Sequence, residues 1–117
     1  MSVGPAARWV HQGLTLSDIL DTALAVELTT AGRILLEDIR ALRRVTGEQA
    51  RRYKLTPMIG RSHGIHAEPI TFGLKLALMF DEFGRAEERL VQTLERVRVG
   101  KLSGVVGTHA HLDPRVE

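Results

Sequence analysis

Apolar residues recur at Leu20, Leu24, Leu28, Ala31, Leu35, Ile39, Leu42 and Val45, in steps of three and four. That spacing puts them on one continuous helix face. The segment opens at Thr15-Leu16-Ser17-Asp18, where a hydroxyl can cap the helix and Asp18 suits its first turn. Continued to about Arg52, the helix is roughly 50 Å long at ~1.5 Å per residue. A compact domain of this size has a radius of gyration near about 13 Å, so such a helix projects beyond anything the chain can wrap around it. Gly32 and Gly47 lie within the run and are places where it can bend or break. A second helical pattern begins around Ile70 to Phe72, after Pro69, and continues to about Arg98. Leu76, Phe80, Phe83, Leu90, Leu94 and Val97 form its apolar stripe. Asp81, Arg85, Glu88, Gln92 and Glu95 occupy the other face, a solvated or salt-bridged one. No stretch alternates with the period of a strand. The expected class is all-α, with long antiparallel helices and connecting loops.

Three glycines between Gly100 and Gly107 end the second helix. Asp113-Pro114 then has the form of a helix start, with Asp at the cap and Pro at the first helical position. Only Arg115, Val116 and Glu117 follow. With the over-long first helix, this gives the expectation that residues 1–117 are part of a larger helical protein.

Composition narrows the functional classes. The 117 residues suit one domain, and 44% hydrophobic with 26% charged residues is ordinary for a soluble protein. Sixteen basic residues against fourteen acidic ones leave a net charge of only +2, so no broad basic patch is implied. The absence of cysteine excludes disulfides and thiolate metal sites. Met1-Ser2-Val3-Gly4-Pro5 has neither the basic nor the apolar region of a secretory signal, and no apolar run approaches a membrane span. A cytoplasmic location is expected, with no membrane partner.

The chemistry concentrates between the two helices. Gly60-Arg61-Ser62-His63-Gly64-Ile65-His66-Ala67-Glu68-Pro69, running on to Gly73, carries far more proton-active groups than a helix connection needs. Histidine exchanges protons near neutrality, so His63 is the candidate acid or base. Arg61 and Ser62 can hold a carboxylate or phosphate. A histidine that merely bonds the loop backbone is the competing reading. His63, His66 and Glu68 form one possible metal set, and His109, His111 and Asp113 another. Neither has the usual helical zinc spacing, and Glu68 is better suited to fixing the loop through backbone amides. Thr15, Ser17 and the amides around them form a possible anion site at a helix start, or an ordinary cap. The glycine-rich run follows a helix, which matches neither nucleotide-binding fingerprint. Arginines 40, 43, 44, 51 and 52 cluster, but with five aromatics and no reading motif they do not indicate nucleic acid.

Taken together, these segments resemble the adenylosuccinate lyase family of the fumarase/aspartase superfamily. Trp9 to Thr15 with Ser17 to Ala23 resembles its first signature region, Gly60 to Ala77 its second, and Val99 to Thr108 with Asp113-Pro114 the segment after that. The glutamate in His66-Ala67-Glu68-Pro69 favours this branch over argininosuccinate lyase, fumarase or the muconate cycloisomerases. The resemblance implies part of a helical bundle, the central domain of a homotetrameric lyase whose active sites each draw on three subunits. It implies β-elimination that releases fumarate from adenylosuccinate or from succinylated aminoimidazole carboxamide ribotide, with no cofactor and no metal. His63 then corresponds to the general acid, and Ser62, in place of a threonine, to a substrate-binding hydroxyl. Thr15 corresponds to a carboxylate-binding residue. Leu16 replaces a small hydroxyl residue of the family, with Ser17 next to it, and His109 and His111 replace a tyrosine and an asparagine. The serine loop that supplies the base and the N-terminal domain with its own histidine have no counterpart here, so the isolated chain is expected to be inactive. A non-catalytic helical interaction module, another lyase of the same superfamily such as argininosuccinate lyase, and a metal-dependent hydrolase are the alternatives.

Overall fold

The computed structural model describes residues 4–116. A short 3-10 segment, Gly4–Trp9, precedes helix α1, Leu16–Arg52. Strands β1, Pro57–Ser62, and β2, Ile65–Thr71, form an antiparallel hairpin that leads directly into helix α2, Phe72–Val97. The mostly helical class is as expected, and both helices lie within a residue or two of their predicted limits. The hairpin is new, since the pattern pointed to a loop there. The chain divides into two compact units. One joins the residues up to Thr30 with those from Arg96 onward, and the other is Ala31–Glu95.

In the Ala31–Glu95 unit the two helices run antiparallel. Gly32 faces Leu94, Gly47 faces Phe80, and Gly73 faces Ala50 and Lys54. Gly32 and Gly47 do not break α1. A Cβ on Gly32 would sit 2.4 Å from the Leu94 side chain, and one on Gly47 3.0 Å from the Phe80 ring. Both glycines are sites of close helix approach, where packing outweighs the helix propensity they cost. Polar pairing adds to this. Arg40 Nε donates to Glu87 Oε1 at 2.7 Å, and Arg43 Nη1 donates to Glu87 Oε2 at 2.9 Å. Both arginines hold the Glu87 carboxyl below the usual carboxylate range, Arg40 most strongly. Two members of the arginine cluster are thus spent on an ion-pair network.

Leu94 is the one buried hydrophobic side chain among the described residues. Leu20, Leu24, Leu28, Leu35 and Leu42, the regular positions of the α1 stripe, are 47–64% exposed. An apolar face this extensive is normally covered by other protein. Among the described residues, no helix is long and apolar enough to cross a membrane. Asp113-Pro114 starts no helix within them. Asp113 instead closes a turn, accepting from the Arg115 amide at 2.9 Å.

Candidate functional site

The hairpin shapes its tip from the backbone outward. Strand partners run Pro57↔Thr71, Met58↔Ile70 and Ile59↔Pro69, then shift by one residue to Arg61↔His66 and Ser62↔Ile65. The shift is a bulge opposite Gly60. A Cβ on Gly60 would lie 2.6 Å from the Glu68 carbonyl oxygen, so only glycine fits that backbone approach. Between the strands stand two residues, His63 at φ 51° and Gly64 at φ 78°. Positive φ at both central positions of a two-residue loop is the type I′ arrangement, which matches the twist of paired strands. Glycine adopts it freely, whereas other residues do so uncommonly, histidine more readily than most. His63 is therefore held by the turn in a strained conformation, exposed at the apex and next to exposed Ser62. Strain of this kind concentrates at functional sites.

The base of the hairpin is anchored to the helices. The Phe72 amide donates to the Thr56 carbonyl at 2.8 Å, and the Gly73 amide to the Tyr53 carbonyl at 2.9 Å. Tyr53 and Phe72 rings pack at 5.3 Å between centroids. Thr71 Oγ1 accepts the Leu74 amide at 3.1 Å, which caps α2 at the last residue of β2. Strand pairing thus fixes the segment, a job the sequence assigned to the Glu68 carboxylate, and Glu68 is exposed.

The second group of candidates lies at the start of α1. Thr15 caps the helix and Asp18 is its third residue, whose carboxylate reaches back to the Thr15 amide at 2.9 Å. This is half of a capping box. The Thr15 hydroxyl makes no hydrogen bond to another described residue, and Ser17 is exposed. Asp18, only 2% exposed, also gathers the loop that follows α2. It accepts from the Ser103 amide at 3.0 Å, the Gly104 amide at 3.1 Å and Lys101 Nζ at 3.2 Å. The Thr15 amide, then the Ser103 amide, together with Lys101 and Gly104, hold its carboxyl far below the usual carboxylate range against the opposing effect of burial. Thr22, one turn on, accepts the Lys101 amide at 2.9 Å and donates to its carbonyl at 3.3 Å. A cleft of about 670 Å³ opens beside these groups, lined by Leu14, Asp18, Thr22, Lys101 and apolar neighbours.

Ser62 and His63 therefore stand together on one unit, and Thr15 and Ser17 on the other. The sequence reading missed the role of Asp18, three of whose four partners lie 83 to 86 residues away. His11 at φ 69° and His109 at φ 55° share with His63 the left-handed backbone region, and all three non-glycine residues described there are histidines. Among the described residues, no group of three or more His, Cys, Asp or Glu side chains is arranged to hold a metal. The two histidine-carboxylate sets noted in the sequence do not come together as such a group.

The family profile described as "Lyase" matches residues 2–117. The chain is 51% identical over 115 residues to a protein named adenylosuccinate lyase from Synechocystis, covering 98% of this chain and 27% of that protein. It is 50% identical over 116 residues to adenylosuccinate lyase from Bacillus subtilis, covering 99% and 27%. Among solved structures, a fumarate lyase from Mesorhizobium superposes with a TM-score of 0.88 at 38% identity, over 96% of this chain and 26% of that one. The 3-carboxy-cis,cis-muconate lactonizing enzyme from Pseudomonas putida gives 0.87 at 34% identity, over 95% and 25%. The chain spans about a quarter of the length of each.

Proposed function

This chain belongs to the lyase family, and from that premise we propose that it contributes one part of the active site of an adenylosuccinate lyase. The observation that carries the proposal is the identity of about half its residues to named adenylosuccinate lyases, across nearly the whole chain. The substrates are adenylosuccinate and succinylated aminoimidazole carboxamide ribotide. In each, the bond from nitrogen to the succinyl group breaks, a double bond forms between the two central carbons of that group, and fumarate leaves. A base takes the proton from the carbon next to the breaking bond, while an acid delivers one to the departing nitrogen.

His63 is the acid. Its place at the apex of a backbone-fixed turn supports this role, because proton transfer needs a donor held at one angle to the leaving atom. Ser62 helps hold the substrate beside it. Thr15, with an unspent hydroxyl at the positive end of α1, binds a succinyl carboxylate, and Ser17 lies close enough along the chain to assist. The base comes from outside these 117 residues, in a homotetramer whose subunit contacts cover the exposed stripe of α1. No cofactor enters the reaction, and the enzyme works in the cytoplasm on small molecules, without nucleic acid or membrane.

The experiment is a transplant. These 117 residues replace the matching 27% of the Bacillus subtilis adenylosuccinate lyase, and fumarate release from adenylosuccinate is followed. The expected result is turnover by the chimera and none by the isolated chain. A chimera that assembles as its parent does yet releases no fumarate overturns the proposal, and turnover by the isolated chain removes the need for an outside base.

A further inference from the structure

Each oxygen of the buried Asp18 carboxylate is filled twice. Oδ2 accepts the Thr15 and Gly104 amides, and Oδ1 accepts the Ser103 amide and Lys101 Nζ. A carboxylate offers about four acceptor sites, so Asp18 has none left for a substrate or for a proton in transit. Its partners come from both sides of one edge, the cap of α1 and the loop from Lys101 to Gly104. The Thr15 hydroxyl, which would complete an ordinary capping box by accepting the Asp18 amide, is not used that way. The Asp18 amide goes instead to the Thr15 carbonyl at 3.1 Å, a 3-10-type bond of the first turn.

We propose that Asp18 is a positioning residue for substrate binding, clamping the Thr15 backbone to the 101–104 loop so that the Thr15 hydroxyl is held at a fixed place. The inference rests on the carboxylate-binding role proposed for Thr15 and deepens it. Asp18 never touches the substrate. It determines where the hydroxyl that does so stands, and it keeps the cation of Lys101 at the same edge. Thr22 is a second tether of the same loop, gripping Lys101 by its amide and carbonyl.

Asp18→Asn tests this with little change in shape. Whichever way the amide lies, its NH₂ group faces two N–H donors, so one pair of bonds is lost and a donor meets donors. In the active chimera, Thr15→Ala and Asp18→Asn should each raise KM for adenylosuccinate about tenfold or more, with kcat within about threefold, the pattern of lost uniform binding. The double variant should exceed the worse single one by no more than about twofold, because both changes remove one contact. Thr22→Val should raise KM by a smaller factor.

If Asp18 served folding alone, Asp18→Asn would lower the melting temperature and leave KM unchanged. That result, with Thr15→Ala raising KM, overturns the positioning role and leaves the Thr15 assignment standing. An unchanged KM in Thr15→Ala instead overturns the Thr15 assignment, and the inference falls with it. Should Asp18→Asn yield no folded protein, Thr22→Val decides the matter: a raised KM supports the clamp and an unchanged KM overturns it.

Discussion

The hairpin and the start of α1 hold their candidate side chains by opposite means. In the hairpin the backbone does the holding. Paired strands, one bulge and a type I′ turn set the place of His63, while the side chains of Arg61, Ser62, His63, His66 and Glu68 are all exposed. At α1 a side chain holds the backbone, with one buried carboxylate collecting amides from two distant segments. The first design tolerates side-chain changes and fails on backbone ones. The second fails on a single side-chain charge.

The largest expected effect separates chemistry from fold at the hairpin tip. Asparagine is favoured in type I′ turns, so His63→Asn should leave the hairpin and the melting temperature of the chimera intact. Its kcat should fall by about 10²–10⁴, the usual contribution of a general acid. Retained turnover with an intact hairpin would remove His63 from the chemistry. Next comes the backbone. Gly60→Ala forces a Cβ to within 2.6 Å of the Glu68 carbonyl, and neither strand can yield without losing register. A loss of about 1–3 kcal/mol in urea unfolding is expected, together with altered cross-strand NOEs between Arg61 and His66. An unperturbed register would show that the bulge is not what fixes the tip.

Acid sensitivity belongs to the other region. The folded Asp18 carboxyl is held below its ordinary value of 3.8. Its contribution is therefore present above that pH and lost progressively as pH falls below it. Wild type should lose more melting temperature than Asp18→Asn does between about pH 5 and pH 2, where ordinary carboxylates protonate. Parallel acid profiles would mean that the charge at Asp18 does not stabilise the fold. The smallest effect is Glu68→Gln, which should change stability by less than about 0.5 kcal/mol, as exposed substitutions do. A larger loss would return to Glu68 the loop-fixing role now assigned to strand pairing.

The same contrast explains what the sequence disclosed. The helices were legible because their stripes repeat over many turns, and Leu20 to Val45 specifies its period without reference to any other segment. Gly32 and Gly47 were misleading only as local signals, since what they permit is the approach of Leu94 and Phe80. The hairpin was hidden for three local reasons. The bulge at Ala67-Glu68, opposite Gly60, interrupts the alternation, Pro69 weakens the strand pattern, and His-Gly stands where Asn-Gly would have signalled the turn. His63, Ser62, Thr15 and Ser17 drew notice through their residue types and through family likeness. Asp18 looked like an ordinary first-turn acid because three of its partners are more than eighty residues distant.

The wet stripe on α1 has a calorimetric consequence. Heat capacity on unfolding grows with the apolar surface newly exposed to water, and ordinary domains gain ~12–15 cal/mol/K per residue. With Leu94 the one buried hydrophobic among the described residues and the leucines of the stripe about half exposed, much of that surface meets water before unfolding begins. The isolated chain should therefore show a shallow, weakly curved stability profile with temperature. Once the leucines of α1 are covered, the same sequence acquires the strongly curved profile of a globular protein. For this chain, the heat capacity increment measures how much of its surface a neighbour has covered.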